Sequence, residues 1–156
     1  MSSRKTPIRK KDYRIAITKT REDIRRCFPV MRELRPHFKS ADKFVQQVLR
    51  QQRDGYLLAF LEEDGEVRAV AGCRFLESLF SGKFLYVDDL VTRDRDRSRG
   101  FGSVLLDWLV EQARARGCDT LELDSGVQRF DAHRFYLVKR MNISSHHFRI
   151  KISDKR

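Results

Sequence analysis

Polar and apolar residues alternate over residues 13–18, a period of two that predicts a strand. The spacing then changes. Ile24, Cys27, Phe28, Met31 and Leu34 recur at three- and four-residue intervals, predicting a helix that opens at Thr20 with Asp23 as capping partner and stops at Pro36, with a kink at Pro29. Ser40 caps a second, shorter helix carrying Phe44, Val45, Val48 and Leu49, closed by the Asp54-Gly55 turn. These two helices are expected to face each other over the mouth of a sheet. Residues 56–62 and 67–76 read as strands joined in a hairpin through Glu63-Asp64-Gly65-Glu66, and a further strand, 84–92, follows Ser81-Gly82.

Beyond residue 100 the pattern becomes helix, strand, helix, strand. Val104, Leu105, Trp108, Leu109 and Gln112 form one stripe of a helix over 102–116, with Gly117 placed for a left-handed C-cap. Residues 120–123 form a short buried strand, 130–140 a helix, and 146–152 a last strand with Phe148, Ile150 and Ile152 on one face. An antiparallel meander followed by a strand reached through a helical crossover predicts an α+β or α/β three-layer fold with a mixed, largely antiparallel sheet.

At 156 residues the chain has the size of one domain, read here as 12–156 behind a basic tail, 1–11. No stretch reaches the ~18 apolar residues of a membrane span, and the basic start lacks a signal peptide's apolar run, so no membrane partner and cytoplasmic residence are expected. Cys27, Cys73 and Cys118 are odd in number and widely spaced, which predicts core filling, with no disulfide or metal. The net charge of +11 concentrates in three places: +5 over residues 1–14, +2 over 93–99 and +6 over 129–156, leaving −2 for the rest. The basic ends keep nucleic acid as a less favoured partner, and a solvated tail is preferred.

The excess at 93–99 adjoins the most telling stretch, Arg97-Ser98-Arg99-Gly100-Phe101-Gly102. It joins a strand to a helix whose first four N–H groups have no intrahelical partner, and glycines at 100 and 102 let those donors turn towards a diphosphate. Ser103, Val104 and Leu105 follow, so neither a Walker loop nor a dinucleotide fingerprint is completed. The remaining Arg-x-x-Gly-x-Gly, behind a strand ending Asp88-Asp89-Leu90-Val91-Thr92, resembles the acyl-CoA loop of the GNAT N-acetyltransferase superfamily. The resemblance covers residues 12–152 and is most specific over 84–141. It implies a sheet of six to seven strands with about four helices, and acetyl-CoA as cosubstrate without a metal. The pyrophosphate would lie on Arg97, Ser98, Arg99, Gly100, Phe101, Gly102 and Ser103, and the pantetheine arm along the backbone of Leu90, Val91 and Thr92. The thioester would lie between the ends of the fourth and fifth strands. A small-molecule or peptide amine would be the acceptor, and pairing through edge strands would make a homodimer.

Asp88 and Asp89 interrupt an otherwise apolar strand, where burying two carboxylates costs several kcal/mol unless they are paired. Strict alternation puts Asp88 with Tyr86, Leu90 and Thr92, and Asp89 with Val87 and Val91, so one of the two is expected to face the substrate. The resemblance favours Asp88, beside the acceptor amine. Ala132 and Tyr136, four apart on one helix face, resemble the family's Asn-x-x-Ala-x-x-x-Tyr helix, which implies that the Tyr136 hydroxyl protonates the departing thiolate. Arg129 replaces the usual Asn, and Arg140-Met141 the frequent Gly-Phe. No His, Cys or Ser has the spacing of a metal site or activated nucleophile, which favours direct transfer in a ternary complex. The alternative is the same fold sensing acyl-CoA, or docking nucleic acid through its basic ends, without turnover.

Overall fold

The computed structural model describes residues 12–154, which form two compact units, one ending at Glu122 and the other beginning at Leu123. The basic tail expected at 1–11 lies outside the described residues. Strands β1 (Arg14–Ile17), β2 (Leu57–Glu63), β3 (Glu66–Ser78), β4 (Gly82–Thr92) and β5 (Thr120–Leu123) lie side by side in chain order. The first four pair antiparallel. Helices α1 (Arg21–Leu34) and α2 (Ala41–Arg53) come between β1 and β2, α3 (Phe101–Ala115) between β4 and β5, and α4 (Phe130–Val138) after β5.

Local chemistry accounts for most element ends. Thr20 Oγ1 accepts the Asp23 N–H at 3.1 Å, while the Asp23 carboxylate accepts the N–H groups of Thr20 (3.0 Å) and Lys19 (2.9 Å), completing the predicted capping box. Pro29 has no N–H for the carbonyl four residues back, yet α1 continues through it as one helix. Ile24, Cys27, Phe28, Val30 and Met31 are buried there, and that burial holds the helix together. Asp64 and Gly65, at φ +53° and +74°, make the two-residue turn of the β2–β3 hairpin. Gly117, at φ +69°, closes α3 as predicted, with the Cys118 N–H reaching the Ala113 carbonyl at 3.0 Å.

The sheet is covered on both faces. Leu58 and Phe60 of β2 join Ile24, Met31, Phe44 and Val48 of α1 and α2, whereas Leu57 and Ala59 share a small cavity wall with Trp108 and Leu109 of α3. Alternating positions of one strand thus serve two layers of core, at roughly 1.5–3 kcal/mol for each large side chain fully buried. Cys27 and Cys73 belong to this interior, where burial pushes both thiols to about 12, so they stay protonated at neutral pH.

Among the described residues the sheet has five strands rather than the six to seven expected. Residues 141–154 carry no regular secondary structure, and Phe148, Ile150 and Ile152 are exposed. Alternation designates which side chains would share a face, but a strand also needs an edge to bond to, and none among the described residues pairs with 146–152. Helix α4 stops at Val138, two residues early. Arg140 there takes a left-handed conformation, φ +62°, with the Met141 N–H on the Tyr136 carbonyl at 3.0 Å. This is the position where glycine is favoured, since a Cβ costs about 1–2 kcal/mol in that conformation. Arg140→Gly should therefore raise the unfolding free energy by about 1 kcal/mol, read from a urea midpoint shifted upwards at unchanged slope.

Candidate active site

The expected alternation along β4 fails at the two aspartates. Asp89 pairs with Gly72 and Val87 with Cys73, so Asp88 is an extra residue with no partner on β3, a β-bulge. The bulge resets the pleat and brings both carboxylates into one ionic cluster. Its other members are Arg35 at the end of α1, Arg74 on β3 and Tyr56 just before β2.

The two acids are held differently. Asp89 is mostly buried with both oxygens engaged: Arg35 Nε donates to Oδ1 at 2.7 Å and the Tyr56 hydroxyl to Oδ2 at 2.8 Å. Arg35 Nη2 also donates to the Asp88 carbonyl at 2.9 Å, tying the bulge to α1. Asp88 receives one side-chain bond, from Arg74 Nε to Oδ2 at 3.2 Å, and Oδ1 has no hydrogen-bond partner among the described residues. Burial raises the Asp88 pKa above the usual aspartate value, with the Arg74 charge opposing and Asp89 reinforcing the shift. Burial, then Asp89, pushes the Tyr56 hydroxyl well above its ordinary value, so it stays a donor. The Arg74 guanidinium lies 5.5 Å from the Tyr56 ring centre.

Gly72 makes this packing available. A Cβ there would stand 1.9 Å from the Tyr56 hydroxyl oxygen and 2.4 Å from Cζ. Its isolated position inside the 67–76 pattern was a readable sign of close approach by another group. Arg35, Tyr56 and Arg74 gave no comparable sign, because each belongs to a different segment.

At the other end of β4, Leu90, Val91 and Thr92 pair with Ala71, Val70 and Ala69, and Val91 is buried in the core. On the opposite side β5 has four residues, a span of about 13 Å, and its approach is marked by the Asp119 N–H on the Lys83 carbonyl at 2.7 Å. That contact lies at the start of β4, so β5 is too short to run along 90–92.

The chain then makes a 3₁₀ turn, Asp94–Asp96, and enters α3 through Ser98 at φ +67° and Gly100 at φ +98°. The first helical bond runs from the Val104 N–H to the Gly100 carbonyl, 3.0 Å, so the amides of Gly100, Phe101, Gly102 and Ser103 lead the helix. The Phe101 side chain is fully buried, which leaves its backbone as its polar contribution, while Gly102 and Ser103 are partly exposed.

The arginines of this loop divide. Arg99 turns inward, with Nη2 on Glu63 Oε1 at 2.8 Å, Nη1 on Asp96 Oδ1 at 3.4 Å, and its guanidinium 4.7 Å from the Phe101 ring centre. Arg93 bonds Asp96 and Glu66, Arg68 bonds Glu66 at 2.9 Å, and Glu33 accepts the Asp94 N–H at 2.7 Å. These pairs fasten the loop to the hairpin and to α1, and Glu63 and Asp96 are buried to do so. Arg97 is exposed and pairs with exposed Asp94 at 2.7 Å, a contact worth about 0–1 kcal/mol and readily exchanged for another anion. The local excess of charge seen in the sequence is thus largely matched by Glu63 and Glu66 from elsewhere in the chain. The backbone donors and Arg97 remain the better-placed groups for a diphosphate.

Tyr136 belongs to the second unit, on α4, half-buried, with its ring 5.4 Å from that of Phe135. Burial raises its pKa, against a smaller opposing effect of Arg129, so the hydroxyl is neutral at pH 7. Among the described residues no group of His, Cys, Asp and Glu could hold a metal ion.

Residues 17–141 match the Acetyltransferase (GNAT) family. The chain belongs to that family. It is 36% identical over 131 residues, 83% of this chain and 92% of the relative, to the Uncharacterized N-acetyltransferase YhdJ of Bacillus subtilis (strain 168). Over 63 residues, 40% of each chain, it is 41% identical to an Aminoalkylphosphonate N-acetyltransferase of Salmonella typhimurium. Among solved structures, the ribosomal-protein-alanine N-acetyltransferase of Brucella melitensis biovar Abortus superposes with a TM-score of 0.78 at 17% identity, covering 90% of this chain and 99% of that one. The GNAT fold therefore extends over most of the chain, and acetyl transfer is its activity class. The described residues contain no helix long and apolar enough to cross a membrane.

Proposed function

We propose that this GNAT protein transfers an acetyl group from acetyl-CoA to a primary amine by direct attack in a ternary complex. The observation that carries the reading is the start of α3, where Ser98 and Gly100 turn the chain so that four successive amides precede the first helical bond. Such a run of donors at a helix N-terminus suits a diphosphate. Arg97 supplies an exchangeable charge beside it, and the backbone of Leu90–Thr92, past the reach of β5, suits an amide-bearing arm.

Acetyl-CoA supplies the acyl carbon as a thioester, whose carbon–sulfur bond breaks as the carbon–nitrogen bond forms. Asp88 is the better acid for the amine side, because Asp89 has both oxygens occupied and Asp88 keeps one open. An alkylammonium near ~10.4 and an ordinary aspartate near ~3.9 differ by ~6.5 units, about 9 kcal/mol against direct transfer. The raised Asp88 pKa narrows that gap, and a water relay removes the proton in smaller steps. Asp88 thus orients the ammonium and takes its proton through water, and the resemblance of the helix bearing Ala132 and Tyr136 to the family pattern supports the Tyr136 hydroxyl as the proton donor to the departing sulfur.

Calorimetry with acetyl-CoA tests the cradle, using Ser103→Asp as the diagnostic variant. A negative charge in the first turn of α3 favours the helix, by about 0.3–1 kcal/mol, yet repels a diphosphate at the same amides. The expected result is a thermal midpoint unchanged or raised with acetyl-CoA affinity weakened at least about tenfold. Equal affinity in the two proteins would place the cofactor elsewhere.

A further inference from the structure

The ionic cluster at the bulge has unspent hydrogen-bonding capacity of both signs. Asp89 is saturated, whereas Asp88 has Oδ1 open. Arg74 uses Nε on Asp88, and its two terminal nitrogens have no hydrogen-bond partner among the described residues. Arg35 uses Nε on Asp89 and Nη2 on the Asp88 carbonyl, which leaves Nη1 without a partner among them. The side chains of Asp88 and Arg74 are each about a quarter exposed and that of Arg35 more so, so a small molecule can reach them.

A single cation would satisfy Asp88 but stand beside two guanidinium groups with donors still unmatched. Two arginines already balance the two carboxylates, so a second positive charge on the acceptor has nothing to meet. A negative group close to the amine would take up the Arg74 donors, whose planar pair suits carboxylate or phosphonate oxygens. Because Arg74 Nε lies 3.2 Å from Asp88, groups bonded to the two side chains from outside would sit roughly 4–6 Å apart, given hydrogen bonds of about 2.9 Å. That separation corresponds to an amine and an acid joined by two or three carbons.

We infer that the acceptor is a small zwitterion, with Asp88 receiving its ammonium and Arg74 its carboxylate or phosphonate. This rests on the acetyl-transfer reading above and narrows it. Arg74 is then the residue that sets specificity, and polyamines and other polycations are poor acceptors.

The test measures thiol release from acetyl-CoA by the full chain with matched acceptors. β-Alanine and 2-aminoethylphosphonate carry the two acids, propylamine is neutral apart from its amine, and 1,3-diaminopropane carries a second cation. The expected result is kcat/KM about 10–100-fold higher for one or both acids than for propylamine, with the diamine lowest; the two acids report which anion fits better. Arg74→Gln should bring that ratio close to one, and Arg74→Lys should restore part of it. If wild type uses propylamine or the diamine as well as the acids, the inference is overturned and acetyl transfer stands. If Arg74→Gln lowers every acceptor equally, Arg74 is structural and the inference also falls. Thiol release with none of these or any other amine would remove the acetyl-transfer reading itself, and the inference with it.

Discussion

Asp88→Asn is expected to lower kcat/KM for the amine by about 10²–10⁴-fold, the range for loss of a positioned acid–base group, with acetyl-CoA affinity unchanged. The loss should appear in the pH dependence as well. In the wild type the ionised carboxylate is the active form, so activity rises with pH through the Asp88 pKa, which burial places above the usual aspartate range. The acidic limb should therefore lie at higher pH than for an exposed aspartate, and it should vanish in Asp88→Asn. The effect on folding runs the other way. A carboxyl group whose folded-state pKa is raised binds protons more tightly in the native protein. Its stabilisation is complete below the unfolded value and is lost as pH rises through the folded one. Removing that charge at neutral pH should not unfold the chain, and Asn can still accept the Arg74 bond. A rate loss accompanied by a comparable fall in thermal midpoint would count against a catalytic role.

Gly72→Ala is expected to destabilise the protein by about 2–4 kcal/mol, an unusually large effect for one methyl group. The added carbon would occupy the place of the Tyr56 hydroxyl and ring edge, 1.9 and 2.4 Å away. Tyr56 must move, and Asp89 then loses one of its two side-chain partners in a mostly buried site. At this chain length the thermal midpoint should fall by roughly 4–16 °C. A double-mutant cycle checks the cause. In a Tyr56→Leu background, which removes the colliding ring, Gly72→Ala should cost much less than in the wild type. Additive losses would mean that strain elsewhere on β3 is responsible. Because the same displacement frees the bulge at Asp88, activity should fall further than stability alone accounts for.

The local signals were legible wherever a residue's partner is close in sequence. The capping box at Thr20, the Asp64-Gly65 turn and the Gly117 cap all formed as read, since each depends on bonds spanning three to five residues. The order of strands and helices through residue 138 followed from changes in period. The last strand did not form, because its alternation carries no information about an edge to join. In the loop, Arg97 and Arg99 look alike in the sequence, yet Arg99 is drawn inward by Glu63, thirty-six positions away.

What the sequence alone determined is the order of elements as far as α4 and the left-handed turn at Gly100, for these follow from periodicity, capping chemistry and the freedom of glycine at positive φ. Tertiary structure decided the electrostatics. Whether Asp88 or Asp89 keeps an open oxygen depends on one extra residue in a β ladder and on side chains from α1, β3 and the approach to β2. Coulombic and hydrogen-bonding partners are set by distance in space, and neither period nor propensity along the chain encodes that distance.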